Sequence, residues 1–208
     1  MARGNNKQPI FREDSDKTHY LNLLQNFRKE HEIDFYHYCL MNNHLHLILQ
    51  ARRPKAFSNF MMRVGLSYFF HFRKKYGYVG HFFQNRFKSN IIDCDLYLLN
   101  CGKYIELNPV RGGITARPED YPFSSYGFYC HGMENSLLRA DPVFLALSEN
   151  EERRREVYRE IVVDDKIVSG EKLKKQRYIG SEVFVKKMEG LVGFPNERKP
   201  QGRPRKGK

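Results

Sequence analysis

The chain has 208 residues, 40% of them hydrophobic and 14% aromatic, enough to bury a real core and to exclude a wholly disordered polymer. Lys and Arg number 36 against 24 Asp and Glu, so the net charge is +12 and the pI about 9.5, which favours a polyanionic partner over a basic one. No apolar run is long enough to cross a bilayer and no signal peptide is evident, so a cytoplasmic protein with no membrane partner is expected.

In chain order, residues Met1 to Ile10 are polar, with a turn signal at Gly4-Asn5-Asn6. Asp14-Ser15-Asp16 offers caps for a helix over Thr18 to Glu30, where Tyr20, Leu21, Leu23, Leu24 and Phe27 fall at helical spacing. Ile33 to Met41 is rich in strand formers, Asn42-Asn43 is a turn, and His44 to Leu49 reads as a second strand, so the three form a hairpin. Ala56 to Tyr76 predicts a helix with a broad apolar face, broken at Gly77 and Gly80. Phe82 to Ile92 predicts a strand interrupted by polar residues. Asp95 caps a helix that runs to about Asn108 and stops at Pro109.

Beyond Gly112-Gly113 the chain turns loop-rich, with short helices predicted at Glu151–Val163 and Glu182–Leu191. From Lys186 onward eight basic residues face two acidic ones, and the stretch ends in Pro, Gly, Lys and Arg. Residues 195–208 are therefore expected to be a disordered basic tail that meets nucleic acid; Gln201 to Lys206, with Arg203 and Arg205, resembles an AT-hook core. The cysteines Cys39, Cys94, Cys101 and Cys130 form no C-x-x-C pair and sit in or near apolar runs, as buried free thiols do.

The helix and strand order predicts an α+β fold with helices on one face of an antiparallel sheet. Residues 1–130 would be the main domain and 131–194 a C-terminal helical extension.

Two candidate half-sites carry chemistry. His44 and His46 are two apart on a strand, so both imidazoles leave the same face while Leu45, Leu47 and Leu49 turn to the core. Alone, two histidines near a turn are more often surface residues than half of a metal site. Tyr104 and Asn108 are four apart on a helix, hence on one face. An Asn carbonyl is a hard oxygen donor suited to Mg²⁺ or Mn²⁺, and a phenol one turn away could attack a phosphate. Each residue taken singly is also explained by packing or by a helix end. Arg86, Lys88 and Arg111 are candidate phosphate contacts, or ordinary surface charges.

Five stretches in order then carry a resemblance. Tyr38-Cys39-Leu40-Met41-Asn42-Asn43-His44-Leu45-His46-Leu47 resembles the His-hydrophobe-His motif of the single-tyrosine transposase superfamily. Lys103-Tyr104-Ile105-Glu106-Leu107-Asn108-Pro109-Val110-Arg111 resembles its tyrosine helix. Arg3 to Phe11, Gly80 to Ser89 and Glu119 to Ser125 are similar to the REP-associated branch. The resemblance spans roughly the first two-thirds of the chain. It implies a ferredoxin-like (RRM-like) fold and cleavage of single-stranded or hairpin DNA. It implies Tyr104 as nucleophile, forming a 5′-phosphotyrosine, and a divalent Mg²⁺ or Mn²⁺ held by His44, His46 and Asn108.

The sequence departs from that family twice. The chain begins almost at the Arg3-Gly4-Asn5-Asn6 motif, so the first strand is expected to be missing or very short. Asn42-Asn43 replaces the usual proline-containing turn, which a turn tolerates. The alternative reading is a catalytically inactive, transposase-derived nucleic-acid-binding protein. The short first strand favours it and the intact set of His44, His46, Tyr104 and Asn108 argues against it. A homodimer that supplies the tyrosine helix from a partner chain is also compatible with the sequence.

Overall fold

The computed structural model describes residues 1–93, 96–163 and 175–198. It contains β1 (Ala2–Arg3), α1 (Asp14–Arg28), β2 (Ile33–Met41), β3 (His44–Ala51), α2 (Pro54–Tyr76), β4 (Ile91–Ile92), α3 (Leu96–Glu106), α4 (Asn108–Arg111), α5 (Tyr126–His131), α6 (Pro142–Leu145), α7 (Glu151–Val163), β5 (Tyr178–Ile179) and α8 (Glu182–Val192).

The predicted hairpin forms: β2 and β3 pair antiparallel from Ile33↔Ala51 to Met41↔His44, with an irregularity between Phe35 and His37. The expected short first strand is β1, two residues that pair with the other edge of β3 through Ala2↔Leu45 and Arg3↔His44. Residues 82–88 run along the outer side of β1, where Gln84 N donates to Arg3 O (2.9 Å) and Lys88 N to Met1 O (2.8 Å). The lateral order is therefore 82–88, β1, β3, β2, with α1 and α2 as crossovers, which is the ferredoxin-like arrangement. The strand predicted over Phe82 to Ile92 is only partly realised. Residues 84–86 bend, and Ile91–Ile92 leaves to pair parallel with β5 in a second, small sheet.

The two faces of the main sheet separate the hairpin residues by parity. Leu45, Leu47 and Leu49 pack with Phe35 and Leu40 against Tyr20 and Leu24 of α1 and Phe60, Val64, Tyr68 and Phe72 of α2. This is the expected helix layer on one face. The other face is covered as well: Cys39, Met41 and Ile48 meet Leu98, Cys101 and Ile105 of α3. Because β2 is enclosed from both sides it reads as an almost unbroken apolar and aromatic run, whereas β3, open at its histidine end, alternates. Cys39, Cys101 and Cys130 are buried and free, and among the described residues no helix is long and apolar enough to cross a membrane.

A third apolar cluster ties α3 to the C-terminal extension, with Leu99 against Tyr126, Tyr129, Phe144, Tyr158 and Val162. At its centre lies a fully buried polar group. His37 of β2 places Nδ1 3.0 Å from Glu106 Oε1 on α3 and Nε2 3.1 Å from Asp141 Oδ2 before α6. The remaining acceptor capacity is filled: Ser125 Oγ (2.6 Å) and Tyr158 Oη (3.0 Å) donate to Glu106, and the amides of Val143 and Phe144 donate to Asp141. Burial pushes the His37 imidazole towards its neutral form, but the hydrogen bonds and charges of Asp141 and Glu106 outweigh burial and raise its pKa from 6.5 to about 9. Gly102 of α3 lies flat against the ring, since a Cβ there would come 2.6 Å from His37 Cε1.

Residues Pro195 to Arg198, expected to open the disordered tail, are instead pinned to the body. Asn196 Oδ1 accepts from the amides of Arg177 and Tyr178, and Arg198 N donates to Lys175 O at 2.8 Å. The physical reason is local: Asn196 and Arg198 carry hydrogen-bonding groups that complete the edge of residues 175–178. The rest of the expected tail, including Arg203 and Arg205, lies outside the described residues, as do Cys94 and the helix-capping Asp95.

Two outcomes are expected. Gly102→Ala forces α3 away from His37 and should lower stability by about 1–3 kcal/mol, read as a reduced urea midpoint. Since the folded pKa of His37 is raised, its contribution is complete below pH 6.5 and lost as pH rises through about 9. The unfolding free energy of the wild type should therefore fall more steeply over that window than that of His37→Gln. Parallel curves would contradict the charged clamp.

Candidate functional site

The site lies where the open end of β3 meets the helix that covers its face. Strand alternation sends Leu45 and Leu47 into the α1/α2 core and leaves His44 and His46 half-buried on the opposite surface, as expected from their spacing. The two imidazoles stand edge to face, with centroids 5.1 Å apart. Asn43 sets the orientation of the first. Its amide nitrogen donates to Lys7 O (3.2 Å), so its Oδ1 accepts at 2.6 Å from Nδ1–H of His44, which fixes the turn of that ring.

Helix α3 brings Tyr104 over this pair. Its ring meets His46 edge to face at 5.9 Å, and the Arg111 guanidinium stacks on the tyrosine at 4.9 Å. The position of Tyr104 follows from the other side of the same helix. Leu98, Cys101 and Ile105 pack on the sheet and Glu106 is clamped by His37, which leaves Tyr104 at the rim. His44, His46, Tyr104 and Arg111 thus meet within one chain.

The predicted helix to Asn108 is broken at Leu107, and Asn108 opens α4 with Pro109 in the first turn. The side chain still folds back one turn: Asn108 Nδ2 donates to Tyr104 O (2.7 Å) and to Ile105 O (3.2 Å). With its NH₂ engaged on backbone carbonyls, the amide must turn its own carbonyl oxygen away from α3. Among the described residues no group of three His, Cys, Asp or Glu gathers that could hold a metal, so a third protein donor beside the two imidazoles would be a neutral oxygen of this kind.

The other sequence candidates are placed differently. Arg86, read with Lys88 as alternating along one strand face, sits in the bend of 84–86 and lines an apolar groove with Met62, Leu66 and Phe83, on the α2 side of the sheet. The polar Gln84-Asn85-Arg86 run bends the segment between its two backbone contacts with β1, Gln84 N to Arg3 O and Lys88 N to Met1 O. The second tyrosine on α3, Tyr97, is half-buried at the edge of the core, whereas the ring contact with His46 belongs to Tyr104.

Two features escaped sequence reasoning. One is the His37–Glu106–Asp141 clamp; its only signal was a charged residue, Glu106, at an apolar phase of α3. The other is Arg3, directly opposite His44 across the β1–β3 ladder. Its place depends on strand register, which the sequence does not display.

The chain is 27% identical to a REP-associated tyrosine transposase of Haemophilus influenzae, a similarity that covers 56% of this chain and 76% of that protein. A solved structure described as a REP-associated tyrosine transposase bound to a REP hairpin aligns with a TM-score of 0.49 at 14% identity, over 67% of this chain and 82% of that one. The family model described as transposase, IS200 like, matches residues 1–108, more than half of the chain and the part that contains both histidines, Tyr104 and Asn108. The chain belongs to the IS200-like transposase family.

Proposed function

We propose that this protein is a metal-dependent endonuclease and strand transferase for single-stranded DNA, acting through a 5′-phosphotyrosine on Tyr104. The observation that carries the reading is the contact of Tyr104 with His46, which sets a phenol beside two outward imidazoles within one chain. A DNA substrate is supported by the match to the transposase family and by the net charge of +12.

The donors fit a hard divalent cation. His44 Nε2, an imidazole nitrogen of His46 and the Asn108 carbonyl oxygen would hold Mg²⁺ or Mn²⁺, and the absence of carboxylates in that set leaves coordination for phosphate oxygens. When bound, the ion would supply Lewis-acid polarisation of the scissile phosphate. The protein's own groups do the rest. The Tyr104 oxygen forms a bond to phosphorus as the bond from phosphorus to the 3′ oxygen breaks. The phenol proton passes to solvent, the released 3′ oxygen takes one up, and the phosphodiester is conserved in the tyrosyl linkage. The reverse attack by a 3′ hydroxyl rejoins or transfers the strand. Arg111, stacked on the ring, orients the phenol and adds positive charge where the phosphate arrives.

Labelled hairpin DNA incubated with Mn²⁺ and run on a denaturing gel checks this. Wild type and Tyr97→Phe should form a covalent adduct. Tyr104→Phe, which removes one oxygen, should form none while binding the hairpin with unchanged affinity. His46→Ala should slow adduct formation by at least about 10²-fold, the order expected when a metal site loses a ligand or its orientation. An adduct in Tyr104→Phe overturns the assignment. Binding without cleavage in the wild type, with every divalent metal tried, would instead establish a non-catalytic DNA-binding protein.

A further inference from the structure

The ring contacts run Tyr104, His46, His44, and Arg3 lies directly across the β1–β3 ladder from His44. Directly paired residues in an antiparallel ladder project to the same face, with Cβ atoms roughly 4.5–5.5 Å apart. The Arg3↔His44 register therefore puts the Arg3 side chain on the histidine face, beyond His44 as seen from Tyr104.

Its surroundings are unusual for an arginine. Arg3 is half-buried, its Nε is shielded from solvent, and that nitrogen has no hydrogen-bond partner among the described residues. No carboxylate among the described residues forms an ion pair with it either; Glu106, the acid closest in sequence to Tyr104, faces the opposite way, into the His37 clamp. A buried, uncompensated guanidinium nitrogen costs free energy unless an anion completes it.

The backbone that carries Arg3 is held on both sides. Arg3 O accepts from Gln84 N at 2.9 Å, and Gly4 N donates to Asn43 O at 2.9 Å in the very turn that leads to His44. Gly4 admits no side chain, since a Cβ would come 2.3 Å from Gln8 O. The arginine is thus presented by a fixed support, at a place where the protein offers it no counter-charge.

We propose that Arg3 is a phosphate-holding residue of this site, gripping a backbone phosphate of the single strand that passes the two histidines, at the end of the site opposite Arg111. The planar fork of the guanidinium matches two phosphate oxygens, and a phosphate would supply the partner that Nε lacks. The proposal depends on the preceding reading only for the identity of its ligand, single-stranded DNA.

The test measures binding, so that it does not require cleavage. A fluorescent DNA hairpin with an unpaired 5′ extension is made with a neutral methylphosphonate at each phosphate of the extension in turn. Its affinity is measured by anisotropy for wild type, Arg3→Ala and Arg3→Lys over a range of salt. One position should weaken the wild type about tenfold, the size of one charge-assisted contact, and have no effect in Arg3→Ala. Arg3→Lys should keep sensitivity at that position, because it keeps the charge. Arg3→Ala should also lose about 0.7 from the slope of log affinity against log salt, one phosphate contact on a single strand.

The proposal is overturned if Arg3→Ala binds with unchanged affinity and slope. It is equally overturned if Arg3→Ala binds more weakly but keeps every methylphosphonate penalty, which would mean only that β1 had loosened. Coupling at one phosphate in a protein that forms no adduct would sink the catalytic reading and leave this one standing; an adduct without coupling would do the reverse.

Discussion

The His37 side chain, buried between the carboxylates of Glu106 and Asp141, joins three parts of the chain that are far apart in sequence: the central strand β2, the tyrosine helix α3 and the C-terminal extension. Each group is inaccessible to solvent, and removing any one of them would strand the charge of the others at a cost of about 3–5 kcal/mol. Cores tolerate such a group only when every lone pair is met, and here Ser125, Tyr158 and two backbone amides complete the set. Orientation is what the clamp contributes. An apolar contact between α3 and β2 could slide or rotate; a two-ended ion pair with Gly102 flat on the ring fixes both the height and the turn of the helix.

That constraint is transmitted to Tyr104 by helical geometry. Glu106 and Tyr104 project from different sides of α3, so fixing one inward sets the other outward over His46. The same logic sorts the charges. The acids of this region turn inward to His37, and the groups left facing the surface around the histidines are neutral or cationic, with Arg111 at one end and Arg3 at the other. A surface of that composition suits a polyanion.

Much of this was legible in the sequence, for reasons that are physical. The parity of His44-Leu45-His46-Leu47 announced both a strand and which side faces out, and the four-residue spacing of Tyr104 and Asn108 survived even though the helix breaks at Leu107, because Asn108 folds back onto the Tyr104 carbonyl. The aromatic run of β2 concealed that both its faces are covered, since a strand enclosed on two sides has no alternation to read. Residues 82–88 follow β1 through backbone hydrogen bonds, and the polar residues that interrupt the predicted strand mark its bend at 84–86. The clamp and Arg3 were hidden for a common reason: both depend on pairings across long stretches of chain, His37 with Asp141 and Arg3 with His44, which no local pattern encodes.

The central claim is that the clamped helix presents one particular phenol to the substrate. It is tested most directly by trapping the DNA-linked protein with Mn²⁺ and an unlabelled hairpin, digesting with nuclease and trypsin, and locating the residual nucleotide by mass spectrometry. The nucleotide should be found on the peptide from Tyr104 to Arg111, joined through the Tyr104 oxygen. A nucleotide on the peptide from Ser89 to Lys103, which carries Tyr97, or on any other residue would contradict it.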